Sequence, residues 1–172
     1  MRTTVISVIL LFLIVGGIFT AAAANETGNN SSAVNKTVKG GGGVQPLSWA
    51  SSIEVEPSSI NLGTVYPDGI EKSYPNAVTA SVVYVLSSGD TLSVRANGDL
   101  VNTADSSLRI PLSSLKFSTP SLSKRSFTTS NQNIMTYSGF WGSPSVTMSL
   151  YITVPPYTDP GTYQTTLIYT AT

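Results

Sequence analysis

Val146-Thr147-Met148-Ser149-Leu150-Tyr151-Ile152-Thr153-Val154 decides the fold. Five apolar side chains alternate with four polar or amphipathic ones, a period of two. Side chains on an extended strand point to opposite faces in turn, so this spacing gives one buried face and one wet face. A helix would need apolar residues three and four apart, and no stretch with that spacing and a cap occurs beyond residue 51. The same alternation recurs on both sides of the segment. Ile53-Glu54-Val55-Glu56 places carboxylates between apolar residues. Val78, Ala80, Val82, Tyr84 and Leu86 form one row, and Leu92, Val94 and Ala96 another. Shorter strands are expected at Ile60 to Val65, Leu108 to Leu112, Leu115 to Phe117 and parts of 125–137, with a last strand from Tyr163 to Thr170.

Turn residues separate these runs. Pro67-Asp68-Gly69, Ser88-Gly89-Asp90, Asn97-Gly98-Asp99 and Asp159-Pro160-Gly161 supply the fixed or positive φ that a reversal requires. Many short strands at this spacing in one domain predict an all-β fold, an Ig-like antiparallel β-sandwich of about seven to eight strands over residues 51–172.

The amino-terminal third reads differently. Met1-Arg2 is followed by an almost wholly apolar run from Val5 to Phe19, then by Ala22-Ala23-Ala24. A positive start, an apolar centre and small residues predict a secretory signal peptide over 1–24, cleaved after Ala24. The competing reading keeps Val5 to Ala24 as a membrane anchor, since it is just long enough to span. Either way the chain is expected to be exported, to the cell surface or beyond it. Asn25 to Gly43 is rich in Gly, Asn, Ser and Thr and ends in a glycine run, which predicts a disordered linker over residues 25–50. N-x-S/T sequons at Asn25, Asn29, Asn30 and Asn35 mark it as a candidate glycosylated stalk. Sequons also arise by chance in such composition. Trp49 is expected to cover the base of the domain where the linker enters.

Composition excludes more than it assigns. The 172 residues include no cysteine and no histidine, which removes thiol chemistry, disulfides, the usual general base and the commonest metal ligands. Nine basic and nine acidic residues balance, so no basic face for nucleic acid is expected. Ser113-x-x-Lys116 and Ser121-x-x-Lys124 match the Ser-x-x-Lys motif of penicillin-recognising enzymes without its helix or partner motifs, and read as polar strand edges. Asp90, Asp99 and Asp105 lack the ligand spacing of a calcium loop. No cofactor, metal or catalytic residue is expected.

The opening Ile53-x-Val-x-Pro57 through Ile60-Asn61-Leu62-Gly63-x-Val65, with the closing Pro160-Gly161-Thr162-Tyr163, resembles exported Ig-like surface domains. The closing motif is similar to that of spore coat protein U-like and other pilin-like sandwiches, and the plan to TasA-like fibre and archaeal bundling-pilus subunits. The resemblance spans residues 51–172. It implies an extracellular structural module that polymerises by lending a strand to its neighbour, and it carries over no catalytic residue. Asp159, Gly161 and Tyr163 also resemble the tyrosine corner of Ig-type folds, where the hydroxyl bonds nearby backbone. Such a corner opens a penultimate strand, yet only one strand follows Tyr163 here. Either this fold begins its last strand with Gly-x-Tyr, or an edge strand is supplied by another subunit, with Ser31 to Ser52 as candidate donor.

Tyr137, Phe140 and Trp141 form the most ligand-like cluster, an aromatic loop among amides and glycines that suits sugar rings. The alternative is that Phe140 and Trp141 plug an open end of the domain. The first expectation for function is therefore a non-enzymatic cell-surface or fibre module that pairs sheet edges or faces with like or unlike subunits. A carbohydrate-binding module acting through Tyr137 to Trp141 is the second, with glycans as partner. A small paired-carboxylate hydrolase is a distant third.

Overall fold

The computed structural model describes residues 4–15, as a backbone strand, and residues 52–172. The fold is all-β. Its strands are β1 (Thr4–Val15), β2 (Ser52–Glu56), β3 (Ser59–Val65), β4 (Glu71–Ala96), β5 (Leu100–Asn102), β6 (Arg109–Ile110), β7 (Leu115–Thr119), β8 (Leu122–Ser126), β9 (Gln132–Gly142), β10 (Ser145–Thr153) and β11 (Gly161–Ala171). Among the described residues the only helical turn is a 3₁₀ segment at Leu112–Ser114. Hydrogen bonds join the strands into one curled sheet. All pairings are antiparallel except β1 with β3, which is parallel.

The curl is carried by β4. Its 26 residues would reach roughly 85 Å if straight, at about 3.3 Å each, whereas a domain of this size is only about 35 Å across. The strand must therefore bend. Along one flank it pairs first with β10, from Glu71↔Thr153 to Ser81↔Ser145, and then with β9, from Tyr84↔Gly142 to Val94↔Gln132. The other flank takes β2 at residues 79–83 and β11 at residues 92–96. Bulges absorb the bend, because an extra residue on one strand kinks the ladder. One lies at Asn76, at φ 51°, where the register shifts against Met148/Leu150. Another lies at Leu86 and Gly89, at φ 58° and 125°, beside a shift between Ser88 and Asp90. Ser88-Gly89-Asp90, read from sequence as a turn between two strands, is thus a bulge inside one.

The period-two rows bury as expected except at Leu86, expected in the row with Val78 and Tyr84, which is exposed because the bulge at φ 58° turns it out of the alternation. Val146, Met148, Leu150, Ile152 and Val154 are buried together with Val78, Ala80, Val82, Leu92, Val94 and Ala96. Phe117 and Phe127 pack in the same core with ring centroids 4.6 Å apart. Each large side chain withdrawn from water contributes about 1.5–3 kcal/mol, and with no disulfide this burial holds the fold.

Candidate functional site

β1 pairs antiparallel with β11, from Thr4↔Ala171 to Val15↔Gly161, and parallel with β3, from Leu10↔Ser59 to Val15↔Val65. Among the described residues β3 makes no other strand pairing, so without β1 both β3 and the facing row of β11 would lose their described ladder partner. β3 is otherwise held by its short link to β2 and by the Tyr74 hydroxyl, which donates to the Leu62 carbonyl oxygen at 2.7 Å. Ile60, Leu62 and Val65 on β3, and Tyr163, Leu167 and Tyr169 on β11, point into the core beneath this place. The strand beside β11 is thus Thr4–Val15, from the segment read as a leader; residues 31–51, the expected donor, lie outside the described residues. So do Asn25, Asn29, Asn30, Asn35 and Trp49.

One core group on β11 has no partner among the described residues. The Tyr169 hydroxyl is buried without a hydrogen bond, and burial pushes its ionisation well above the usual value. An orphaned buried hydroxyl costs about 1–3 kcal/mol.

The aromatic cluster is not a loop but part of β9, and the structure separates its members. Tyr137 is buried, its ring 4.9 Å from that of Tyr84. The Tyr84 hydroxyl donates to the Ser138 carbonyl oxygen at 2.7 Å, and Ser87 Oγ donates to the Tyr137 carbonyl oxygen at 2.8 Å. Phe140 and Trp141 are 71% and 76% exposed. They plug nothing. Trp141 lies opposite Val85 in register, and the pairs on either side of Leu86 set it across from Phe140. Val83 and Leu86 are exposed as well. Neighbouring residues on a strand face opposite ways, so these two aromatics do not form one flat platform with Tyr137.

Asp159, Gly161 and Tyr163 have a structural geometry. The Tyr163 hydroxyl donates to the Asp159 carbonyl oxygen at 2.9 Å, across the turn that starts β11. Gly161 sits at φ 158°, and a Cβ there would lie 2.1 Å from Asn102 Nδ2. Asn102 is fixed in turn, its Oδ1 accepting the Ala104 N–H at 2.8 Å.

The remaining candidates are committed locally. Lys116 and Lys124 do not meet Ser113 or Ser121; both bind Glu71, Lys116 at 3.2 Å, and hold its carboxyl below the usual carboxylate range. Lys124 also lies 4.2 Å over the Tyr151 ring. Asp99 Oδ1 accepts the Leu112 N–H, and Asp105 Oδ1 accepts the Ser107 N–H and hydroxyl. No group of three or more metal-ligating side chains occurs among the described residues. No family model, curated protein or solved structure matches the chain.

Sequence reasoning missed two features. One is the pairing of Thr4–Val15, masked because an apolar run suits a leader as well as a buried strand. The other is the exposed run of residues 138–141 on β9, in an 11-residue strand without charge or proline.

Proposed function

We propose that this chain is a non-enzymatic, exported structural module of a cell surface or fibre that joins neighbours through strand pairing. The observation that carries this reading is the position of β1, a terminal strand bonded on both sides to strands that do not bond each other. Residues 16–51 separate it from β2, so it is tied to the domain by a long connection. Cleavage after Ala24 would remove β1 and leave β3 and β11 facing an open slot. Buried backbone groups without partners are costly, and the apolar residues beneath would meet water. A strand from a neighbouring subunit, with the sequence around 31–52 as the candidate donor, would restore both. A chain that donates one strand and accepts another assembles head to tail into an open polymer. While β1 is retained, the slot is filled within the chain and the precursor stays closed.

The test compares the chain beginning at residue 25 with the same chain lacking residues 25–50, by sedimentation across a concentration series. Concentration-dependent oligomers formed by the first and lost in the second are expected. A monomer at every concentration in the first would end the proposal.

A further inference from the structure

The connection between β10 and β11 carries a residue that folding does not explain. Pro155–Thr158 is a four-residue turn. The Thr158 N–H and hydroxyl close it, both donating to the Pro155 carbonyl oxygen, at 3.3 Å and 2.7 Å. Proline fills the second position, and the third takes positive φ, a place such turns give to glycine or asparagine. Here it holds Tyr157, at φ 67°. At that φ the Cβ is pressed toward the following carbonyl oxygen. The ring returns nothing to the fold, being 100% exposed. Backbone strain of this kind collects at binding sites.

Tyr157 lines a cleft of about 270 Å³ between this turn and the β5–β6 hairpin. Pro156 and Asp159 line it from the turn, Arg109 and Pro111 from the hairpin and its exit. The hydrogen bond from Tyr163 to the Asp159 carbonyl oxygen ties the turn to the start of β11. A second cleft, of about 260 Å³, shares Arg109. Arg109, Val101 and Gln164 are successive partners across β6, β5 and β11, so their side chains lie on one face of the sheet. Asn97, Asp99 and Thr166 complete this second lining. Arg109 thus joins an aromatic cleft to one of amides and hydroxyls.

We propose that the two clefts form one binding site for a neutral oligosaccharide. One sugar ring stacks its C–H face on Tyr157, with its hydroxyls toward Arg109 and Asp159; the next unit lies over Asn97, Gln164 and Thr166. The lining selects this ligand. A sugar hydroxyl both donates and accepts, and here Arg109 only donates, Asp99 and Asp159 only accept, and the amides do both. An anion would meet the two carboxylates, and a cation the guanidinium. A peptide would need apolar pockets for its anchors, whereas the second cleft offers polar groups. The site stands apart from Phe140 and Trp141 on β9 and does not depend on the strand slot.

The test titrates the full chain, with β1 present, with cellotriose, maltotriose, mannotriose and chitotriose, followed by backbone amide NMR. Trigalacturonate and a triglutamate peptide serve as charged controls. At least one neutral trisaccharide should bind and shift amides within 108–111, 155–159 and 163–166. Tyr157→Phe should keep that binding. Tyr157→Gly should weaken it by about fivefold or more through lost stacking. Its melting temperature should be no lower than the parent's, because glycine suits positive φ. Arg109→Ala should weaken binding by about tenfold. Binding by none of the four sugars would overturn the proposal, as would unchanged affinity in Tyr157→Gly. Tighter binding of either charged control would overturn it too, assigning the clefts to an acidic ligand. Binding lost in Trp141→Ala and kept in Tyr157→Gly would move the sugar site to β9.

Discussion

β10 and β9 run consecutively along the same flank of β4, yet they keep their side chains in different ways. β10 buries every second residue, and its outer face is tied down by polar contacts. Tyr151 lies beneath Lys124 and 3.1 Å from Ser118 Oγ, while Thr147 and Thr79 share a hydroxyl contact of 3.1 Å. β9 buries Ile134 and Tyr137, then exposes four residues in succession from Ser138 to Trp141. The difference teaches that a strand's pattern comes from what lies against it, not from being a strand. β10 has the core behind it. Past Tyr137, β9 pairs with residues 84–88 of β4, a stretch that no other described strand flanks.

The largest expected effect falls on the core side. Leu150→Ala should lower the unfolding free energy by about 2–5 kcal/mol, read from denaturant midpoints. Trp141→Ala, a larger truncation on β9, should stay within about 0.5 kcal/mol in the monomer. Equal losses at the two positions would break the contrast. Gly161→Ala comes next, because its methyl group must displace Asn102; a loss of about 1–3 kcal/mol is expected, with Asn102→Ala in the same chain recovering part of it.

Tyr169→Phe runs the other way. It removes an unpartnered buried hydroxyl and should raise stability by about 1 kcal/mol. It should also change the alkaline limb. The folded pKa is raised above its usual 10.0, so above pH 10 the unfolded chain loses this proton while the folded chain keeps it. Stability should therefore be intact below pH 10 and fall as pH rises beyond it, with a shallower fall in the phenylalanine variant. The smallest effect concerns Glu71. Its folded pKa is depressed by the hydrogen bonds from Lys124 and Lys116, so its contribution is present above the ordinary value of 4.5 and lost as pH falls below it. The three side chains are partly exposed. Glu71→Gln should cost no more than about 1 kcal/mol at neutral pH and nothing measurable in acid.

The sequence made the all-β fold legible where one face is dry. The Val146–Val154 row and the rows of β4 show burial in their spacing. Ser88-Gly89-Asp90 misled because Gly serves a bulge as readily as a turn, and the choice depends on whether a partner strand continues. Phe140 and Trp141 misled because large aromatics usually find cover within their own chain; here they stand beside a stretch of β4 that no other described strand flanks. Thr4–Val15 was the least legible, since an unbroken apolar run satisfies a bilayer and a strand with two bonded neighbours equally well.

Amide hydrogen exchange at Ser59–Val65 tests the strand slot most directly, because among the described residues β3 has no ladder partner besides β1. Comparison of the full chain with the chain beginning at residue 25 should show protection in the first and loss of it in the dilute second. Protection should return as the shortened chain is concentrated and oligomers form. Equal protection in the dilute shortened monomer would contradict the slot, because β3 would then be held without any strand beside it.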